Sequence, residues 1–230
     1  MTKYFKSLAL AGALTAASAV AASAATTIDF TDTGSYTFGT TKAEGSIMGV
    51  GWKLLPRGEG GNLTQNVPYD GDAAGKAGLQ ASSGLALEAD GIGIDNDEAS
   101  RFEEGREVLR MVFDQAVYIT GLHFLDVFGD ESVRVKADSL GGTLTVLSES
   151  AAGDNSLGGY AYSGDKAGEE GAWIKVLRFI PGFENDSDGG TGEPDFALAG
   201  VDVAAVPLPA GGVLLLTALG GLAIARRRKS

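Results

Sequence analysis

The residues best suited to chemistry lie in the acidic segment 184–195, ENDSDGGTGEPD. Counting Glu184 as position 1 puts Asp186 at 3, Asp188 at 5, Gly189 at 6 and Asp195 at 12. That approaches the ligand spacing of a calcium loop, in which alternate oxygens curl around a hard cation and a glycine permits the sharp turn. Position 1 is Glu rather than Asp, position 12 is Asp rather than a bidentate Glu, and Pro194 adjoins it. The flanking runs read as strands, which makes this a calcium loop on a hairpin. The alternative is an Asp/Gly-rich turn kept solvated by its charge. A second oxygen-rich cluster, Asp95-Asn96-Asp97-Glu98, follows a strand-like run, with Asp95 and Asp97 as its candidate ligands. Calcium at either place would brace loops rather than catalyse.

Catalytic options are few. The sole histidine is His123, within Leu122-His123-Phe124-Leu125, and no second imidazole exists to build a His-based zinc site. There is no cysteine nucleophile. Ser82-Ser83-Gly84 lacks the G-x-S-x-G context of a nucleophile elbow. Paired carboxylates could serve a glycosidase, but with 30 acids some pair always satisfies that condition. The chain is therefore read as a non-enzyme. Sugar binding through exposed aromatic faces is the stronger option. Trp52 and Trp173 sit in alternating runs and read as core, whereas Tyr69, Tyr160 and Tyr162 lie in Gly-rich, loop-like surroundings and read as platforms.

The elements that must position these groups read as short strands. Ile28 and Phe30 alternate in 26–30; Ser35 to Phe38 and Gly49 to Leu55 follow. Pro56 to Ser83 is Gly-rich and aperiodic, and reads as a long loop with a short element near Leu63. Leu85, Leu87 and Ala89 predict a strand, continued by Gly91 to Ile94. Val108 to Phe113, a turn at Asp114-Gln115-Ala116, and Val117 to Val127 come next. Val133 to Ala137, Thr143 to Leu147, Tyr160 to Tyr162, Trp173 to Ile180 and Phe196 to Val203 complete the set. No helical stripe is visible between residues 26 and 205. The expected fold is all-β, an antiparallel β-sandwich of jelly-roll type.

Both ends of the chain differ from this texture. Lys3 and Lys6 precede the apolar run Leu8 to Val20 and the small-residue site Ala22-Ser23-Ala24, the layout of a cleavable signal peptide over residues 1–25. The other end, 206–230, reads VPLPAGGVLLLTALGGLAIARRRKS. Val206 to Ala225 carries no ionisable side chain, and as a helix of roughly 30 Å it would just span a hydrocarbon core. Arg226, Arg227, Arg228 and Lys229 then hold that end in the cytoplasm. Six of the 18 Lys and Arg lie in these ends and none of the 30 Asp and Glu, so residues 26–205 carry 12 cations against 30 acids, a net charge near −18. Such a surface repels phosphate and excludes nucleic acid as a partner. Without cysteine, an exported body must rely on packing and on any metal it binds.

Val206-Pro207-Leu208-Pro209-Ala210, the apolar run and the basic cluster together resemble the PEP-CTERM class of bacterial sorting signals, in the variant named after VPLPA. The Glu of the founding Pro-Glu-Pro motif is absent. The resemblance implies a Gram-negative bacterium, a membrane-embedded protease of the exosortase type as partner, and a body released to the cell surface or extracellular matrix. The run Gly91 to Ile94, the acids after it, and Glu107 to Val117 also look like the sandwich-like bodies of such proteins. The role this implies is structural or adhesive, linked to exopolysaccharide and biofilm. A calcium-braced carbohydrate-binding module is the alternative, and a secreted hydrolase the third.

Overall fold

The computed structural model describes residues 25–57, 61–95, 98–102, 105–128, 131–139, 142–148, 157–164, 174–183 and 195–204. The sorting motif, the basic cluster, residues 1–24 of the signal segment, Trp173, Glu184, Asp186, Asp188 and Asp97 lie outside them. Among the described residues no helix is long and apolar enough to cross a membrane.

The fold is all-β and antiparallel, as the alternating runs predict. In chain order the strands are β1 (Thr26–Asp29), β2 (Thr37–Gly39), β3 (Lys42–Ile47), β4 (Val50–Arg57), β5 (Leu63–Asn66), β6 (Gly91–Ile94), β7 (Ala99–Phe102), β8 (Gly105–Arg106), β9 (Val108–Leu125), β10 (Glu131–Ser139), β11 (Gly142–Ser148), β12 (Ala161–Ser163), β13 (Ile174–Phe183) and β14 (Asp195–Ala204). Among the described residues there is one helix, α1 (Ala73–Ser83), between β5 and β6. The strands form one 14-stranded sheet whose main path runs β11-β10-β13-β9-β14-β6-β5. It curls into a nearly closed, barrel-like wall.

β9 is the spine. Its first half pairs with β4 on one side and β13 on the other, and its second half pairs with β14 and β12. The expected turn at Asp114-Gln115-Ala116 is instead part of this single strand. The β9–β13 register jumps from Val112↔Val176 to Val117↔Ile174, so the polar residues that read as a turn form the irregularity where the strand passes between its two sets of partners. β13 and β14 flank the acidic segment as strands, but they lie on either side of β9 rather than forming a hairpin.

Alternation puts the expected side chains inside. Ile28, Phe30, Trp52, Leu54, Val133, Val135 and Ala137 are buried. Phe30, Tyr36 and Trp52 meet at centroid distances of 5.4–6.0 Å, and Phe124 packs edge-on against Phe179 and Phe196.

Two expectations between residues 56 and 90 are corrected. The stretch read as loop contains α1, whose sequence AAGKAGLQASS offers one large apolar side chain, Leu79. Its ends hold it: the Asp72 side chain accepts the Gly75 N–H, and Gly84 at φ 76° donates its N–H to the Gln80 carbonyl. Leu79 packs with Tyr69, Leu85, Leu87, Leu125, Ala197 and Ala199, which docks the helix on the outside of the sheet. Leu85, Leu87 and Ala89 are buried alternately, as read, yet they form no strand. Their backbone is held by side chains instead: Ala86 N–H donates to Asp29 Oδ2, and Leu87 N–H to Thr31 Oγ1.

Candidate functional site

Four neighbouring strands carry one row of functional side chains across the outer face. Tyr162 on β12 lies opposite His123 on β9, and Asp202 on β14 lies opposite Gly121 on β9 and Thr27 on β1. His123 and Asp202 are diagonal neighbours, and two glycines clear the space between the strands. A Cβ on Gly121 would fall 2.4 Å from Asp202 Oδ2 and 2.6 Å from the Tyr162 hydroxyl. One on Gly200 would meet His123, Thr27 and Leu85 within 3.3 Å.

Across that space His123 Nε2 lies 3.1 Å from Asp202 Oδ2, and His123 Nδ1 lies 2.8 Å from the Tyr160 hydroxyl. Thr27 Oγ1 donates to Asp202 Oδ1 at 2.6 Å, and the Tyr162 hydroxyl donates to Oδ2 at 3.3 Å. These contacts fit one neutral tautomer: Nε2–H donates to the carboxylate, and Nδ1 accepts from Tyr160. Burial pushes the Asp202 carboxyl upward, but the hydrogen bonds from His123, Thr27 and Tyr162 outweigh it and hold the group below its ordinary range. Burial, with Tyr162 and Asp202 nearby, raises the Tyr160 phenol, which stays a neutral donor.

The row forms one wall of a cleft of about 430 Å³, lined also by Ala25 and by Ser82 and Ser83 from the end of α1. His123 is 3% exposed and sits at its base, while the Tyr162 ring is 51% exposed and lies 4.7 Å from the imidazole, tilted by 36°. The arrangement links Tyr160, His123 and Asp202 in one hydrogen-bonded chain. Among the described residues it aims no serine at the imidazole: both serine hydroxyls donate to the Leu79 carbonyl, and the second imidazole nitrogen is taken by Tyr160. Among the described residues, Asp202 is the one carboxylate in the lining. A neutral polyhydroxylated ligand suits such a cleft. Three hydrogens already point at the Asp202 carboxylate, which leaves about one lone-pair position for a ligand hydroxyl.

The predicted site residues distribute unevenly over the structure. Tyr162 is the exposed ring and Tyr160 is half-buried in the network, but Tyr69, read as a platform, is 8% exposed and packs under α1. Asp95 is exposed, and its carboxylate accepts the Asn62 N–H. Asp195 opens β14 opposite Ser100. Neither belongs to the acidic grouping that the fold does assemble, Asp70, Asp90 and Asp126, where one carboxylate oxygen from each lies within 4.8 Å of the others. Sequence reasoning missed Asp202, Thr27 and Gly121 at the cleft and all three members of that grouping. An Asp in the last strand, in phase with the glycines, was the available signal.

No family model, no curated protein and no solved structure matches the chain.

Proposed function

We propose that this chain is exported across the inner membrane, processed at Val206–Ala210 by an exosortase-type protease, and delivered to the cell surface or extracellular matrix. There it holds saccharide in a structural or adhesive role linked to exopolysaccharide. The order of pentapeptide, apolar run and basic cluster at 206–230 supports the route. On this reading the two ends are a signal-peptide helix and a membrane-spanning helix, and the curled sheet is a jelly-roll-like sandwich whose two walls share β9.

The observation that carries the binding role is the row Tyr162–His123–Asp202–Thr27. A sugar ring presents an apolar C–H face and a rim of hydroxyls. The exposed Tyr162 ring suits the face, and Asp202 with the serine and tyrosine hydroxyls suits the rim. A body charge near −18 favours neutral over acidic saccharides. Among the described residues the cleft is lined by one carboxylate, which supports binding over turnover. A calcium-braced carbohydrate-binding module is the companion reading, favoured by the grouping of Asp70, Asp90 and Asp126.

Calorimetric titration of the full chain with neutral oligosaccharides released from exopolysaccharide tests the proposal. Saturable binding is expected, weakened at least about tenfold in Tyr162→Ala, roughly the loss of one ring contact. Absence of binding, or an unchanged affinity in Tyr162→Ala, overturns it.

A further inference from the structure

We infer that Asp70, Asp90 and Asp126 form a site for a hard divalent cation of the calcium class. The three residues come from separate segments: Asp70 from the approach to α1, Asp90 from the turn into β6, and Asp126 from the end of β9. Asp90 is 1% and Asp126 5% exposed, while Asp70 faces solvent. The Asp70 N–H donates to Asp90 Oδ1 at 3.2 Å, which ties two of the segments together. The third is fixed by Gly158 and Gly159, whose carbonyls accept the Asp126 and Val127 N–H groups. A Cβ on Gly158 would sit 2.9 Å from Asp70 Oδ1, so glycine lets this turn close over the carboxylates.

The independent observation is Asp126 Oδ2, an oxygen buried from water with no hydrogen-bond partner. A buried carboxylate without donors is expensive, and two more acids beside it add repulsion. Either a proton or a cation must compensate. Oxygens bound to one calcium at about 2.4 Å lie at most about 4.8 Å apart, and the three oxygens here meet that limit. All three ligands are hard carboxylates, which suits calcium or magnesium over zinc or copper. Asp70 faces solvent, so one side of the grouping is exposed to water. The inference stands whether or not the cleft binds sugar.

Without a cation the Asp126 carboxyl is pushed up to about 9, first by burial and then by the charges of Asp90, Glu98, Asp70 and Asp195.

The test is thermal unfolding of the full chain at pH 8 in EDTA, in calcium and in magnesium, repeated for Asp126→Asn and for the exposed-site variant Asp70→Asn. Calcium at about a hundredfold excess over Kd should raise Tm by roughly 5–10 °C. The rise should vanish in Asp126→Asn and shrink in Asp70→Asn, while Asp126→Asn in EDTA should melt no lower than the parent chain. Should Asp126→Asn fail to fold, Asp70→Asn decides alone. An equal rise in magnesium that both substitutions abolish still places a divalent site here. Equal melting in all conditions overturns the inference and assigns the charge relief to a proton. A rise that survives both substitutions also overturns it and points to the 184–195 segment.

Discussion

At Gly121 an added methyl group would fall 2.4 Å from Asp202 Oδ2 and 2.6 Å from the Tyr162 hydroxyl. Both side chains would have to withdraw, and His123 would lose its acceptor. Gly121→Ala should therefore destabilise the chain by about 1–3 kcal/mol, read by urea unfolding, and should abolish saccharide binding in the same sample. Titration of single carboxyls sets the pH response. Burial lifts Asp126 to about 9, and Glu131 to about 7 with Asp195 and Glu98 adding to burial. When folded, both keep protons longer than their ordinary values of 3.8 and 4.5 allow. The folded chain then binds more protons than the unfolded one, so this stability is complete at low pH and is lost as pH rises through about 7 and about 9. Asp202 has the opposite sign: its carboxyl is held low, so its contribution disappears as pH falls through the lowered value. In EDTA, the unfolding midpoint should decline from about pH 5 to pH 9, and Asp126→Asn should flatten the decline. A midpoint that rises over that range would contradict the assignment. Growing net charge also lowers stability with pH, but the substitution removes only one charge and so isolates the buried group.

At the scale of elements, α1 is the piece with least sequence signal and clearest energetics. Leu79 is its one buried anchor, so Leu79→Ala should cost about 2–5 kcal/mol and loosen the Ser82–Ser83 wall of the cleft. Gly78 has no atom within 4 Å of a would-be Cβ, so Gly78→Ala should stabilise by about 0.5–1 kcal/mol through helix propensity alone. Urea unfolding of both variants should give shifts of opposite sign. The same element shows where the sequence was legible. Strands such as Val133–Ala137 announce themselves, because one face is buried and the side chains alternate. A helix closed by Asp72 and Gly84 and anchored through a single leucine has no stripe to read. At 85–89 the alternation was real but the backbone partners were the Asp29 and Thr31 side chains, which periodicity cannot see. Tyr160 and Tyr162 were visible as platforms, whereas His123, Ser82 and Ser83 were weighed as catalytic groups and set aside. Their meeting with Asp202 depends on the β9–β14 and β9–β12 registers, which bring together residues 79 and 37 positions apart. The acid density at 184–195 drew attention because it is local. Asp70, Asp90 and Asp126 are scattered along the chain and converge only through folding.

For the molecule as a whole, β14 is both a wall of the cleft and the last described strand. Asp202 lies two residues before its end at Ala204, and Thr26 of β1 lies opposite Val203. A ligand held at Asp202 and a tether at the C-terminal end would thus be joined by a very short load path. Tension between them would run along a few residues of one strand and bypass the aromatic core. The grip should rupture before the body unfolds. A single-molecule pull between bound saccharide and the C-terminal end should show release without the roughly 60 nm extension of about 180 unfolding residues. Pulled instead between Thr26 and the C-terminal end, β1 should peel from β14 one bond pair at a time, at lower force. On the proposed reading, the chain would act mechanically as a hook whose shank is a single strand.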